Sequence, residues 1–583
     1  MNIKNIRMTN WSFKLCKDNL KDMKAPCMDP VWIGTVSEEA MHKEVMILKN
    51  AGFNTLIVEG LRRLMLYEHN NVSAEVRSAI ARAVKIAHDA GMKVFYHSTC
   101  SFANPSLDIF TENEKKMLSI DGKTGTYAYT VGWNGWYLWC INNPDFKKEF
   151  YRLSKLMVEE TKVDGLMTDE VYFRTLWRTC MCPHCLEKFG KAVPEPDFNN
   201  SDWREWLRFR YRSTGDFYEG LREAIGDIPL LGCKNDEPNP GHSQFFGENN
   251  DQRMRGTNIL FTEVCTRKGK EEWRDTSANC SAYQGLGVHY HAPVLGLAIS
   301  DTQGIEFAWA LRMAHGIRPW GVGSALMKRS LSPEDNLSDN PADVAEYARL
   351  FHWEDQYGDL FANAVEPVAE VALLLSSATR DQHDNHDDKS PATREMHYCH
   401  DDAFVREYRG WCNALTDAHI QFVVIHEDDL DKLDNKFKVL ILPHAACLPD
   451  FKFSGKIIAT GDSGKYDLTG AKRTTPLFEN TQPLGEFNTD NLPSQIKVVN
   501  APAEFLIRAV YAEDGYIIHL LNCSKKFDGD ISIFISRMDN VKLISPNIKE
   551  ELTLDILNNV VNIPVADFKT YAALHVSVAA EIK

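Results

Sequence analysis

Residues 38–60, EEAMHKEVMILKNAGFNTLIVEG, hold one complete folding unit. An amphipathic helix runs into Ala-Gly, and a short apolar strand follows. Gly52 suits the left-handed position past a helix end, and the β-rich run behind it reads as a buried strand. Residues 75–99, EVRSAIARAVKIAHDAGMKVFYHST, repeat the same grammar with Gly91 in the place of Gly52. Continued along the chain, the pattern predicts strands near 9–13, 55–59, 93–98, 164–169, 229–234, 258–263, 293–299 and 317–322, with helices after most of them. Eight αβ units in succession make a (β/α)8 TIM barrel over residues 1–365, with its chemistry at the carboxyl ends of the strands.

Near residue 365 the grammar changes. EVALLLSS, HIQFVVIHEDDL, FKVLILPHAACLPD and GKIIATGD are short apolar strands, and the helical DDAFVREYRGWCNALTDA lies between the first two. They predict a smaller doubly wound parallel sheet, in a second domain of residues 366–488. From 489 to 583, alternating segments such as EFLIRAVYAEDGYIIHLLNCS, DISIFIS and TYAALHVSV predict a C-terminal β-sandwich.

Composition narrows the function classes. The chain has 583 residues, 44% of them hydrophobic and 25% charged, the make-up of an ordinary globular protein of several domains. A formal net charge of −16 repels phosphate backbones, which argues against nucleic acid as a partner. There is no apolar run long enough for a membrane span. The N-terminal MNIKNIRMTNWSFKLC lacks the apolar core of a secretory signal, and fourteen unevenly spread cysteines do not resemble a disulfide framework. A cytoplasmic protein is expected.

Three of those cysteines fall in MTDEVYFRTLWRTCMCPHC, residues 167–185. Cys180, Cys182 and Cys185 form C-x-C-x-x-C, a turn that bends sulfurs back around one ion. A tetrahedral zinc needs a fourth ligand. Cys140 in YLWCINNPDF is preferred over Cys100 in HSTCSF, and His184 is expected to point out of the turn. Four thiolates close the shell, so the zinc expected here is structural.

The same stretch begins with two acids. Asp169 and Glu170 end the fourth strand, where strand alternation lets one face the pocket while the other turns aside. A cap, or an ion pair with Arg174 or Arg178, is the structural alternative. Glu263 in ILFTEVCTRKG ends the sixth strand and supplies a second carboxyl, with Glu59, Asp236 and Asp301 as further acids at strand ends. Paired carboxyls are what acetal hydrolysis requires: one protonates the leaving oxygen while the other attacks or activates water. Separations of about 5–5.5 Å and roughly 6.5–9.5 Å distinguish retaining from inverting chemistry. Aromatic rings stack on sugar faces. Trp133 and Trp136 in GWNGWYLWC, and Trp320 in RPWGVG, are candidate platforms. His97, Tyr172, Lys234, Asn235 and Asp301 are candidate hydroxyl binders. A histidine-rich stretch with His383, His386, His397 and His400 reads as a polar loop of the second domain.

These residues resemble glycoside hydrolase family 42 β-galactosidases: a fourth strand ending in a carboxylate, then a cysteine cluster, with one upstream cysteine. The resemblance implies a barrel, an amidotransferase-like trimerisation domain and a small β-domain, acting on a carbohydrate. It implies that Glu170 is the general acid/base and that Cys140, Cys180, Cys182 and Cys185 hold zinc. Asp169 stands where that family has asparagine, and the seventh strand, APVLGLAISDTQG, carries no glutamate for the family's nucleophile. VDGLMTD is also similar to the strand of α-L-fucosidase-like barrels. That similarity implies Asp169 as nucleophile and Glu263 as acid/base. A carbohydrate-binding protein that has lost its nucleophile, and a lyase or isomerase using the same acids, are the rival expectations. The second domain resembles class I amidotransferases in fold only, because Cys447 in PHAACLP lacks the glycines of a nucleophile elbow.

Overall fold

The computed structural model describes residues 5–12, 37–59, 62–69, 71–104, 106–129, 135–171, 173, 178–233, 237–265, 272–299, 304–322, 337–363, 366–384, 402–433, 436–524 and 526–578. Eight parallel strands follow the predicted places: β1 Met8–Ser12, β2 Thr55–Glu59, β3 Lys93–Thr99, β4 Gly165–Asp169, β5 Leu230–Gly232, β6 Leu260–Cys265, β7 Val294–Ile299 and β8 Arg318–Gly321. They form one sheet in the order β5-β4-β3-β2-β1-β8-β7-β6, and a parallel bridge from Leu231 to Ile259, just before β6, brings its two edges together. This is the (β/α)8 barrel.

The first predicted unit shows why. Ser37 caps the helix Glu38–Asn50 by accepting from the Ala40 N–H, and Met41, Val45 and Leu48 line its buried stripe. Gly52 then takes φ +90° and Gly91 φ +76°, the left-handed turns that reverse the chain into β2 and β3.

Two compact units divide the chain. The first takes in Met1–Thr262 and Trp320–Val344; the second takes in Glu263–Pro319, Ala345–Asn385 and His400–Lys583. Within the second unit, β9 Val371–Leu375, β10 Phe422–His426, β11 Val439–Leu442 and β12 Lys456–Ala459 form a parallel sheet in the order β10-β9-β11-β12, the doubly wound arrangement expected. Cys447 is buried behind it, its N–H donating to Thr379 Oγ1 and its carbonyl accepting from Ser376 Oγ. That is a structural position, as the missing glycines imply. Beyond it lie β13 Ile496–Asn500, β14 Phe505–Ala512, β15 Gly515–Asn522, β16 Asp530–Ile535, β17 Asn540–Ile544, β18 Leu552–Thr553, β19 Ile556–Leu557, β20 Val560–Pro564 and β21 Tyr571–Ser577. They make two antiparallel sheets, β13-β16-β20-β19 and β14-β15-β21-β17-β18. Ile496, Ile531 and Ile563 of one sheet share a core with Phe505, Ile518 and Leu574 of the other, which is the C-terminal sandwich.

Register determines what enters the barrel. Phe95 pairs with Gly165, His97 with Met167 and Thr99 with Asp169, while Leu231 pairs with Met167. Residues two apart share a face, so His97, Thr99, Met167, Asp169 and Leu231 point one way. Thr168 and Gly232 belong to the opposite face, where Tyr218 of the helix Ser201–Ile225 donates to the Thr168 carbonyl and crowds Gly232. The face carrying Asp169 is therefore the barrel interior. Its floor is tightly filled: a Cβ on Gly165 would sit 2.4 Å from the Phe95 ring. Gly165→Ala should cost about 1–3 kcal/mol of stability, read as a lower urea midpoint with an unchanged slope.

Candidate active site and cysteine cluster

β4 presents its two acids differently. Asp169 continues the alternation inward and keeps 18% of its side chain exposed. Glu170 has left the strand: its φ is +60°, a left-handed conformation that costs a non-glycine residue energy. Backbone bonds from Cys100 N–H to the Asp169 carbonyl, 2.9 Å, and from Ser101 N–H to the Glu170 carbonyl, 3.1 Å, hold that turn. The Glu170 carboxylate acts on the buried Cys100 thiol: burial pushes that thiol up, a Ser101 hydrogen bond opposes, and the charge of Glu170 adds to the rise.

Asp169 is surrounded by donors. His97 Nε2 lies 3.4 Å from Oδ2, and Arg62 Nη1 lies 3.9 Å from the same oxygen. Burial pushes the carboxyl up, but the hydrogen bond and charge of His97, the charge of Arg62 and a hydrogen bond from Cys233 outweigh it and hold it below the ordinary carboxylate range. The arginine beside Asp169 is thus Arg62, whereas Arg178 pairs with Glu195 at 2.6 Å; Arg174 lies outside the described residues. On β6, Glu263 is half-buried and shares its face with Phe261, which packs 5.2 Å from the Trp320 ring.

The aromatic expectations divide. Trp320 is 2% exposed on β8, and its indole N–H donates to Asn10 Oδ1 of β1, so it closes the barrel interior. Trp136 does not present an open ring. It is fully buried with Phe102, Ala128 and Leu138, and the guanidinium of Arg63 lies 4.2 Å from its ring centroid. A cation–π contact fills the position expected for a sugar. Trp133, Tyr172, Lys234, Asn235, Asp236 and Asp301 lie outside the described residues, as do His386, His397 and His400. His383 is described, and it packs against Tyr466 with ring centroids 4.6 Å apart.

Sequence reading missed Arg62, Arg63 and Cys233. The first two stand in GLRRL directly after β2, and Cys233 directly after β5, positions at strand ends that carry the necessary signal. It also missed the polar layer behind β5. There Asn250 Nδ2 donates to Glu237 Oε1 at 2.6 Å, Arg253 donates to Asn250 Oδ1, and Glu248 lies 3.7 Å from Arg253, all of them buried.

The four cysteines converge as expected. Cys140, Cys180, Cys182 and Cys185 are buried, with one sulfur from each within 4.8 Å of the others. Cys140 Sγ is 3.5 Å from Cys182 Sγ and 3.6 Å from Cys185 Sγ, too long for a disulfide. It is close to the roughly 3.8 Å edge of a tetrahedron with metal–sulfur bonds of about 2.3 Å. Amide donors surround the sulfurs, as metal thiolates require: Ile120 N–H reaches Cys180 at 3.2 Å and Asn142 Nδ2 reaches Cys185 at 3.3 Å. Hydrogen bonds from Cys140, Cys180 and Cys185 hold the Cys182 thiol far below the ordinary range. This donor set fits a metal ion.

A second group, His289, His426 and Asp428, also brings ligand atoms within 4.8 Å. Its nitrogens are otherwise engaged. His289 Nδ1 is 2.8 Å from Asp429, His426 Nε2 is 3.1 Å from Ser377 Oγ, and His426 Nδ1 accepts the Asp428 N–H. The two rings stack with centroids 4.3 Å apart.

No protein-family model matches the sequence, and no curated protein is similar to it. Solved structures share its fold. The α-L-fucosidase isoenzyme 2 from Paenibacillus thiaminolyticus superposes with a TM-score of 0.64 at 14% identity, over 99% of this chain and 100% of that one. The apo exo-carrageenase GH42 from Bacteroides ovatus gives 0.53 at 12% identity, over 84% and 75%. Among the described residues, no helix is long and apolar enough to cross a membrane.

Proposed function

We propose that the chain is a retaining glycoside hydrolase with Asp169 as its nucleophile and a second strand-end carboxyl, for which the sequence offers Glu263, as its proton donor. The observation that carries this reading is the environment of Asp169: an inward carboxylate at the end of β4, held ionised by His97, Arg62 and Cys233. A nucleophilic carboxylate must be charged and oriented before substrate arrives. His97 and Arg62 both reach Oδ2, which sets Oδ1 as the attacking oxygen. In the first step Oδ1 bonds to the anomeric carbon while the glycosidic C–O bond breaks and Glu263 gives its proton to the departing oxygen. Water then attacks the anomeric carbon of the glycosyl ester and gives one of its own protons to the Glu263 carboxylate, and the bond to Asp169 breaks to release it. A nucleophile on the fourth strand also accounts for a seventh strand without a glutamate. Glu170, carried past the end of β4 by its left-handed backbone, supports the site on this reading, in place of the general acid/base role that the family 42 resemblance implies.

Zinc is the proposed occupant of the four-cysteine cluster, with Cys140, Cys180, Cys182 and Cys185 as its ligands. A closed sulfur shell leaves no position for a reacting water, so its work is structural. It ties the entry to the helix Pro144–Thr161 to the segment that leaves β4, and thereby fixes both ends of the unit that carries Asp169.

Likeness in fold to an α-L-fucosidase and to an exo-carrageenase makes α-L-fucosides and carrageenan oligosaccharides the first substrates to try, with β-galactosides added from the sequence resemblance. Turnover of a nitrophenyl glycoside with retention of anomeric configuration, followed by NMR, is the expected result. Failure to turn over any member of a broad nitrophenyl glycoside panel, with metal content intact, would sink the reading.

A further inference from the structure

Cys233 stands directly after β5, where the fold places it beside the Asp169 carboxylate. Thr168 pairs with Gly232, so the next register position sets Cys233 against Asp169. Gly232 faces Tyr218 on the outside of the barrel, and alternation turns Cys233 inward. Of the ten cysteines whose burial is described, nine are buried and Cys233 is the partly exposed one. Its thiol hydrogen-bonds to the Asp169 carboxylate.

We propose that Cys233 is a positioning residue: from just past the end of β5 its S–H donates to Asp169 while His97 donates from β3, so that the carboxylate is held from both sides. The proposal rests on Asp169 being the nucleophile. A thiol is a weak donor, but near an ionised acceptor it becomes charge-assisted and directional. Two donors, one from each side, fix the rotation of the carboxylate plane, which one donor leaves open. The arrangement has a chemical consequence. Because the thiol faces a negative charge, forming a thiolate there is disfavoured, and the cysteine is kept as a donor rather than a nucleophile. Alkylation would both remove the donor and put bulk beside Asp169.

Two measurements test this, and one of them needs no substrate. Iodoacetamide labelling at Cys233, followed by peptide mass spectrometry at pH 7, should be faster in Asp169→Asn than in the unmodified protein, because removing the neighbouring negative charge favours the reactive thiolate. In activity assays, Cys233→Ala should move the acid limb of the kcat/KM profile to higher pH, while Cys233→Ser, which keeps an O–H donor, should leave that limb in place. Equal labelling rates with and without the Asp169 charge would overturn the proposal whether or not the protein turns over a glycoside. Faster labelling in a protein that hydrolyses no glycoside would uphold the Cys233–Asp169 link and remove the glycosidase reading alone. An acid limb that moves equally in the alanine and serine variants would also overturn it, because loss of packing, not of the donor, would then be the cause.

Discussion

Asp169→Asn is expected to lower kcat on an activated aryl glycoside by about 10⁴-fold or more, with little change in folding stability. The range follows from what nucleophile removal costs enzymes that form covalent intermediates. Asparagine keeps the shape and an oxygen that His97 and Arg62 can reach, so the loss reports chemistry rather than collapse. Asp169→Ala with added azide gives a second readout: the small anion occupies the vacated space, attacks the anomeric carbon as the aryl oxygen leaves, and yields a glycosyl azide of inverted configuration. If Glu170→Gln abolishes turnover and Asp169→Asn does not, the assignment between the adjacent acids is reversed. The pH dependence has a definite sign. Asp169 sits below its ordinary range in the folded protein, so the enzyme should stay active as pH falls past the point where a free carboxylate protonates. The associated stability is fully present above the unfolded value of about 3.9 and is lost as pH falls through the lower folded value.

What was legible in the sequence follows from which physics is local. Helix periodicity, the Ala-Gly stops at Gly52 and Gly91 and the apolar runs behind them are short-range signals, and all eight barrel strands stand where those signals put them. The adjacent acids were ambiguous because alternation assigns one inward and one outward without saying which. The register Thr99↔Asp169 turns Asp169 inward and Glu170 lies past the strand end at a positive φ, and neither feature can be read from residue types. Trp136 failed for another reason. An exposed platform and a buried cation–π partner have the same local sequence, and Arg63, which covers the ring, is supplied from 73 positions away. Arg62 and Cys233 stand directly after β2 and β5, and residue type alone does not mark either as a partner of a carboxylate on another strand.

Cys182→Ser should abolish stoichiometric metal binding and cost about 5 kcal/mol, seen as a fall of roughly 10 °C in Tm. Structural zinc contributes apparent binding energies of about 10–16 kcal/mol in small domains, comparable with the whole stability of a typical fold, and a barrel with its own core should lose only part of that. Cys182 is the choice because hydrogen bonds from the other three thiols hold its thiol far below the ordinary range. Serine leaves a poor ligand facing three sulfurs, with the Ile120 and Asn142 donors still aimed at Cys180 and Cys185. Cys523→Ser, a buried cysteine in the C-terminal sandwich, controls for the loss of any thiol and should leave metal content unchanged. The two devices of residues 167–185 can then be separated by experiment. Loss of the zinc knot should remove folded protein in proportion to metal, with kcat per folded molecule reduced far less than by Asp169→Asn. If metal-free protein keeps its Tm, the four sulfurs are not a structural metal site, and the fixing of the segment beyond β4 must be credited to its packing and hydrogen bonds instead.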